Sequence, residues 1–362
     1  MNTFGTSIKI TVFGQSHADA IGVAIDGLPA GTDIDIGFIQ HLLDLRAPGK
    51  SDTATRRREP DNVEFLSGVI DGKTCGTSLC AVIRNTDTRS KDYSSLIGKP
   101  RPSHADFPAM IKYGENYDIR GGGQFSGRLT APLCIAGGIA LPLLEKRGIR
   151  VAAHIASVAD VCDEPFDFLD DQTELMERLS DMPFAVIDAA AGERMKERIR
   201  SSAAACDSLG GVVECKITGL PVGTGLPMFD GIENVLSRAV FAVPAVKGIE
   251  FGVGFAGTAL SGAAYNDAYY YDESGRVRTK TNHAGGICGG MATGMPVIFR
   301  AAVKPTPSIA RKQDTVNLAT GENTVIEIHG RHDPCIVPRA VTALRAVSAA
   351  AILDLLMTDG KF

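Results

Sequence analysis

The chain has 362 residues, 44% of them hydrophobic and 22% charged, with 40 glycines and no tryptophan, enough to bury a large core. A formal net charge of −5 excludes general attraction to nucleic acid or to an anionic membrane surface, although local basic clusters stay open. Eight cysteines are scattered without a C-x-x-C pair, several in apolar runs such as Pro132-Leu133-Cys134-Ile135-Ala136. They read as reduced core residues rather than disulfides or metal ligands. The N-terminus lacks a leader pattern and no apolar run approaches spanning length, so the expectation is a cytoplasmic protein without membrane contact.

In chain order, Ile8 to Phe13 alternates like a half-buried strand and runs into Gly14-Gln15-Ser16-His17. A second strand, Ile21 to Ile25, follows, then a helix from Asp35 to Leu45 with Ile36, Phe38, Ile39, Leu42 and Leu43 on one side. The loop from Arg46 to Pro60, with its Arg56-Arg57-Arg58 run, is either a solvated charge run or an anion-binding lid. Strands around Val63–Leu66 and Ser78–Ile83 lead through Arg84–Arg89 to Arg101-Pro102-Ser103-His104-Ala105-Asp106, where Asp106 or Arg101 can set the charge of His104.

Next comes Arg120-Gly121-Gly122-Gly123-Gln124-Phe125-Ser126-Gly127-Arg128. Three glycines let an anion approach bare amides, Ser126 is placed to cap a helix from about Leu129 to Lys146, and arginines bracket the turn. A lone turn of this kind is most often a surface loop. Here it is one of several segments of the same character.

Beyond residue 150, Val151–Val158 reads as a strand, Thr173–Arg178 and Gly192–Ser208 as helices, Val212–Ile217 as a strand and Ile232–Phe241 as a helix. Gly252 to Gly257 matches G-x-G-x-x-G, but no helix pattern follows, so the dinucleotide geometry is missing. Asn282 to Gly290 is a second glycine-rich approach surface, and Lys304-Pro305-Thr306-Pro307-Ser308 offers a cation and two hydroxyls, either a phosphate clamp or a Pro-rich loop. Arg331-His332-Asp333-Pro334-Cys335 opens a last helix through Val341, Leu344, Val347, Ala351 and Leu355. An Asp there is usually a cap, and its neighbours make a functional part plausible. With strands and helices mixed and no regular βαβ repeat, periodicity supports α+β or α/β.

The segments Phe13–His17, Arg101–Asp106, Arg120–Arg128, Asn282–Gly290, Lys304–Ser308 and Arg331–Cys335 together resemble the signature blocks of the chorismate synthase family, in that family's order and across nearly the whole chain. The resemblance implies an α+β fold, a single-domain β-α-β sandwich over 1–362 with antiparallel sheets flanked by helices, usually a homotetramer. It implies the conversion of 5-enolpyruvylshikimate 3-phosphate to chorismate and phosphate, the last step of the shikimate pathway. Reduced FMN is required although no net redox change occurs, in a setting that also carries NADP.

By the same resemblance, Arg46, Arg101, Arg128 and Arg331 bind substrate. His17 is the general acid for departing phosphate, and a phosphate dianion beside it favours the charged imidazole. His104 protonates or hydrogen-bonds the reduced flavin near N1 and O2, Asp333 assists proton removal at N5, and Ser16 and Ser126 relay or orient. Gln124, Phe125, Ser126, Pro244, Ala245, Gly289, Lys304, Pro305, Thr306, Pro307, Ser308 and Arg331 fall on flavin-contact positions, with Lys304, Thr306 and Ser308 on the flavin phosphate. The chain departs from the family pattern at Gln15 for Glu, Gln124-Phe125 for a polar pair, Pro244 for Asn, Pro307 for Ser, Asp52 for Arg and Arg345 for Glu. Two other readings compete. One is a flavin oxidoreductase, marked by pyridine-nucleotide consumption; the other is a flavin- or phosphate-binding protein without turnover. No reductase segment is evident, so reduced flavin is expected from an external source.

Overall fold

The computed structural model describes residues 2–47, 61–85, 96–328 and 333–362. Lys50, Asp52, the Arg56–Arg58 run, Arg89, Arg331 and His332 therefore lie outside the described residues. Eight helices are described: α1 (Ile36–Arg46), α2 (Asp106–Tyr113), α3 (Thr130–Glu145), α4 (Thr173–Ser180), α5 (Ala189–Ala204), α6 (Ile232–Val240), α7 (Gly262–Tyr265) and α8 (Val337–Thr358).

Two five-stranded antiparallel sheets hold them. One has the spatial order Thr3–Phe4, Lys9–Gly14, Ala20–Asp26, Leu79–Arg84, Val63–Ser67; the other runs Val246–Phe251, Val297–Val303, Gly211–Thr218, Arg150–Val158, Val161–Cys162. Registers such as Val12 opposite Val23, Val23 opposite Ala81, and Cys215 opposite both Phe299 and Ala153 align the apolar faces. Arg150–Val158 is buried along nearly its whole length rather than on alternate residues. Such a run needs cover on both faces: α8 packs on one side, and α4 and α5 also pack against this strand.

Between the sheets lie α1, α3 and α8, with α3 touching Ala20–Asp26 and α8 touching Gly211–Thr218. The sandwich is thus β-α-β with helices inside as well as flanking it. Helix α3 is buried almost all the way round, as a central helix must be. Asp35 caps α1, its carboxylate accepting from Phe38 N at 2.9 Å. Two expected boundaries shift. Asp188 accepts from Ala190 N and Ala191 N and so starts α5 before Gly192, and α8 begins at Val337, leaving Asp333 outside the helix rather than as its cap. After Gly252 comes a 3₁₀ turn, Gly254–Ala259, and only the four-residue α7, so the missing dinucleotide helix is borne out.

Helix α8 corrects one expectation. It is 22 residues long and apolar enough to cross a bilayer, as is the segment Arg120–Glu145. However, 89% and 72% of their apolar windows are buried inside the protein. Both are core helices between sheets.

Candidate active site

The triple-glycine turn carries φ of +59°, +82° and +54° at Gly121, Gly122 and Gly123, a left-handed run that only glycine makes without strain. It also brings loops against the backbone. A Cβ on Gly121 would collide with Ser16 Oγ and stand 2.5 Å from His17 Nδ1; one on Gly122 would stand 3.3 Å from His104 Nε2. Ser16 N donates to Gly123 O at 3.2 Å, locking the first loop to the turn. His17 and His104 therefore pack against neighbouring glycines of one turn. Ser126 accepts from Arg128 N at 3.3 Å and caps the 3₁₀ turn Gly127–Leu129 that precedes α3, rather than α3 itself, whose N-cap position is Leu129.

Below the turn, Asp61 collects two arginines. Arg46 Nη1 donates to Oδ2 at 3.0 Å and Arg128 Nη1 to Oδ1 at 2.5 Å. Arg46 also donates to Thr130 Oγ1 and Gly127 O. Burial, helped by the neighbouring charge of Arg339, lowers its pKa to about 10. Each of its three nitrogens thus already has an internal partner. Arg128 additionally donates to Asn85 Oδ1 at 2.8 Å. Two cations on one carboxylate leave this floor net positive.

A second hub is Asp106 at the start of α2. It accepts from Arg101 N and Nε, from His104 Nδ1 at 2.7 Å and from Tyr117 OH at 3.0 Å. Burial alone would raise its pKa, but Arg101 and His104 hold it far below the usual carboxylate range. Arg101 Nη1 donates on to Ser308 Oγ at 3.2 Å. So Arg101, too, is mostly spent on internal partners. For His104 burial dominates and lowers the pKa despite Asp106.

These groups open on a cavity of about 560 Å³ lined by Arg46, Arg101, His104, Arg128, Lys304 and Asp333 among others. Gln124, Phe125, Ser126, Pro244, Ala245, Thr306, Pro307 and Ser308 line it as well. Its size suits a cofactor with substrate. Two non-glycine residues on its wall, Ser103 (φ +57°) and Ala245 (φ +75°), hold left-handed backbone, a strain that persists where a site requires it. Ser16, His17 and Pro305 are not on the lining; His17 reaches the cavity only behind Gly121, which is. Gly289 sits exposed beyond Ile287–Cys288, in the turn of a short hairpin with Met291–Ala292, away from the lining. Arg331 lies outside the described residues.

Sequence reasoning missed Arg339, Asp61 and Asp118. Arg339 lines the cavity, pairs with Asp333 and donates to Arg46 O at 3.1 Å. Asp118, held below its usual range first by its bond to Arg120, also feels the charge of His17. Its only signal was the Asp-x-Arg spacing ahead of the glycines.

The residues fit an FMN phosphate. Thr306 Oγ1 is buried with no hydrogen-bond partner among the described residues. Lys304 Nζ lies on the same segment and donates to Ser103 O at 3.0 Å. An orphan hydroxyl beside a cation is what an incoming phosphate oxygen satisfies.

Fold and cavity define an α+β protein whose cavity carries His104, Lys304 and several arginines on its wall, with His17 behind Gly121. The chorismate synthase family model matches residues 8–357. Chorismate synthases of Methanocella arvoryzae and Synechocystis sp. are each 44% identical, over 99% and 98% of this chain and 95% and 97% of their own lengths. A solved structure titled "Crystal Structure of Chorismate Synthase" superposes with a TM-score of 0.76, covering 98% of this chain and 93% of that one at 24% identity, a likeness of fold. The chain belongs to the chorismate synthase family. Its reaction is that of a carbon–oxygen lyase of the shikimate pathway to aromatic amino acids. It eliminates phosphate from 5-enolpyruvylshikimate 3-phosphate to give chorismate, with reduced FMN and no net redox change.

Proposed function

We propose that the chain carries out this elimination with His17 and His104 as its two proton-handling groups. The observation that carries the reading is the glycine turn itself, which seats one imidazole against Gly121 and the other against Gly122. His17 holds a proton for the departing phosphate oxygen, with Ser16 orienting it through the bond from Ser16 N to Gly123 O. Arg128, on its Asp61 anchor, takes the substrate's anionic groups together with Arg331, which lies outside the described residues; Arg46 and Arg101, on the cavity wall with their own carboxylate partners, add positive potential. Reduced FMN, when bound, supplies the electron density that lets phosphate leave without net oxidation. Lys304, Thr306 and Ser308 hold its phosphate, while Gln124, Phe125, Ser126, Pro244 and Ala245 line its ring. His104 hydrogen-bonds the ring edge. Asp333, tied to Arg339, takes the proton released, with Ser126 orienting.

The further expectations are a single domain over 1–362, a cytoplasmic homotetramer and reduced flavin from an external source. One apolar core cluster reaching from Ile8 to Leu356 supports the single domain.

The test is anaerobic incubation with the shikimate-pathway ester and chemically reduced FMN, following chorismate and phosphate. The protein produces both. His17→Ala keeps substrate binding and loses about a hundredfold to ten-thousandfold in turnover, the usual contribution of a placed acid. No chorismate from the unmodified protein would sink the reading; near-full turnover by the variant would sink the role of His17.

A further inference from the structure

We infer that Asp106 is the positioning residue for His104: its carboxylate accepts a hydrogen bond from the protonated Nδ1, so that His104 gains and releases its mobile proton at Nε2, against Gly122.

The geometry decides the tautomer. Nδ1 lies 2.7 Å from Asp106 Oδ1 and 3.2 Å from Arg101 Nη2. Arginine only donates, and an ionised carboxylate only accepts. If Nδ1 were bare, its lone pair would face a carboxylate oxygen at the shorter of the two distances. With the proton on Nδ1, both His104 and Arg101, whose Nη2 is 2.9 Å from Oδ1, donate to the same oxygen. Asp106 is 0% exposed and stays ionised at any working pH, so it orients the ring without taking the proton itself.

Tyr117 completes the clamp. Burial and the Asp106 charge push its hydroxyl far above the usual range, so it remains a donor. The Phe125 ring lies 6.2 Å from that of Tyr117 and 6.4 Å from that of Tyr113. The aromatic that this chain carries in place of a polar family residue thus ties the glycine turn to the Asp106 hub. The charged and titratable groups acting on His104 are Asp106, Arg101 and Lys304, with Tyr117 bonded to the same carboxylate and Asp118 and Arg120 behind it. An anion brought against Nε2 favours a second proton there.

The inference rests on the proposed role of His104, so His104→Ala is the reference. Asp106→Asn can offer its amide N–H to Nδ1 and stabilise the other tautomer. An orienting carboxylate exchanged for an amide costs up to about 10⁴-fold in a catalytic triad, and a fall of about a hundredfold or more is expected here. The limb of the pH–turnover profile that belongs to His104 moves to lower pH, because a negative neighbour is lost. Tyr117→Phe relieves Asp106 of one donor and moves the same limb to higher pH with little change at the plateau. The pH dependence of reduced-FMN affinity, from anaerobic titration, shifts in the same two directions. A merely structural Asp106 lowers thermal stability and leaves both profiles in place. Profiles unmoved in the folded variants overturn the inference, and if Asp106→Asn does not fold, Tyr117→Phe decides alone. If His104→Ala turns over normally, the role of His104 itself fails; if it is impaired while Asp106→Asn is not, only this inference fails.

Discussion

Arg46, Arg101 and Arg128 are each 6% exposed or less, and an unpaired guanidinium at that depth would be prohibitively costly. Asp61 and Asp106 solve the problem with fewer negative charges than the cations they hold, so the pairs are satisfied and the cavity still attracts anions. Lys304 is different in kind. It is half-buried, and burial, with Lys247 adding to it, lowers its pKa, so a phosphate favours its charged form. Hydrogen bonds to charged groups contribute about 1.5–3 kcal/mol, so Lys304→Ala should weaken FMN binding about ten- to hundredfold in a fluorescence titration. Unchanged affinity would remove Lys304 from the clamp.

At the scale of elements, the middle layer depends on two adjacent glycines of α3 that open two faces. A Cβ on Gly137 would run into the Ala346 backbone of α8, and one on Gly138 would stand 2.8 Å from Ile39 Cγ1 of α1. Alanine is the better helix former by about 1 kcal/mol, yet overpacking against backbone costs about 1–3 kcal/mol or more. Gly137→Ala should therefore lower the unfolding midpoint in calorimetry; a rise would mean that α3 and α8 can separate freely. The second sheet has its own buried device. His154 bridges Asp163 at 3.0 Å and Glu214 at 3.1 Å, joining Arg150–Val158 to Gly211–Thr218. Burial alone would lower its pKa, but the two carboxylates raise it above 6.5. A raised folded pKa means stabilisation that is complete below the unfolded value and lost as pH rises through the folded one. Urea midpoints of the unmodified protein should fall over that window relative to His154→Gln. Parallel pH curves would refute the linkage.

On the scale of the whole molecule, Met228, Phe229, Phe255 and Tyr271 stand at least 77% exposed. Contiguous apolar surface is what other chains cover, and the homotetramer proposed above would have to cover these side chains. Light scattering should return four times the chain mass, and a monomer at micromolar concentration would end that expectation. Gly289 and Met291 lie on the hairpin Ile287–Ala292, so the glycine matched to a flavin contact is not delivered to the cavity by its own chain's fold.

Much of this was open to reading from residues. Strand and helix faces follow from local periodicity: of the five apolar residues that the spacing sets on one side of α1, Ile39, Leu42 and Leu43 are buried, Phe38 is partly buried and Ile36, at the first turn, is exposed. The glycine turn, the His104-x-Asp106 spacing and the six family blocks are likewise local patterns, and they sufficed for the activity. Partner choice is not local. That Asp61 takes Arg46 and Arg128, that Arg339 holds Asp333, and that His17 sits behind Gly121 while Gly289 lies elsewhere depend on distances between segments far apart in the chain. Those distances are set only when the helices pack between the sheets, because a buried charge must then find whichever opposite group the packing has brought within reach.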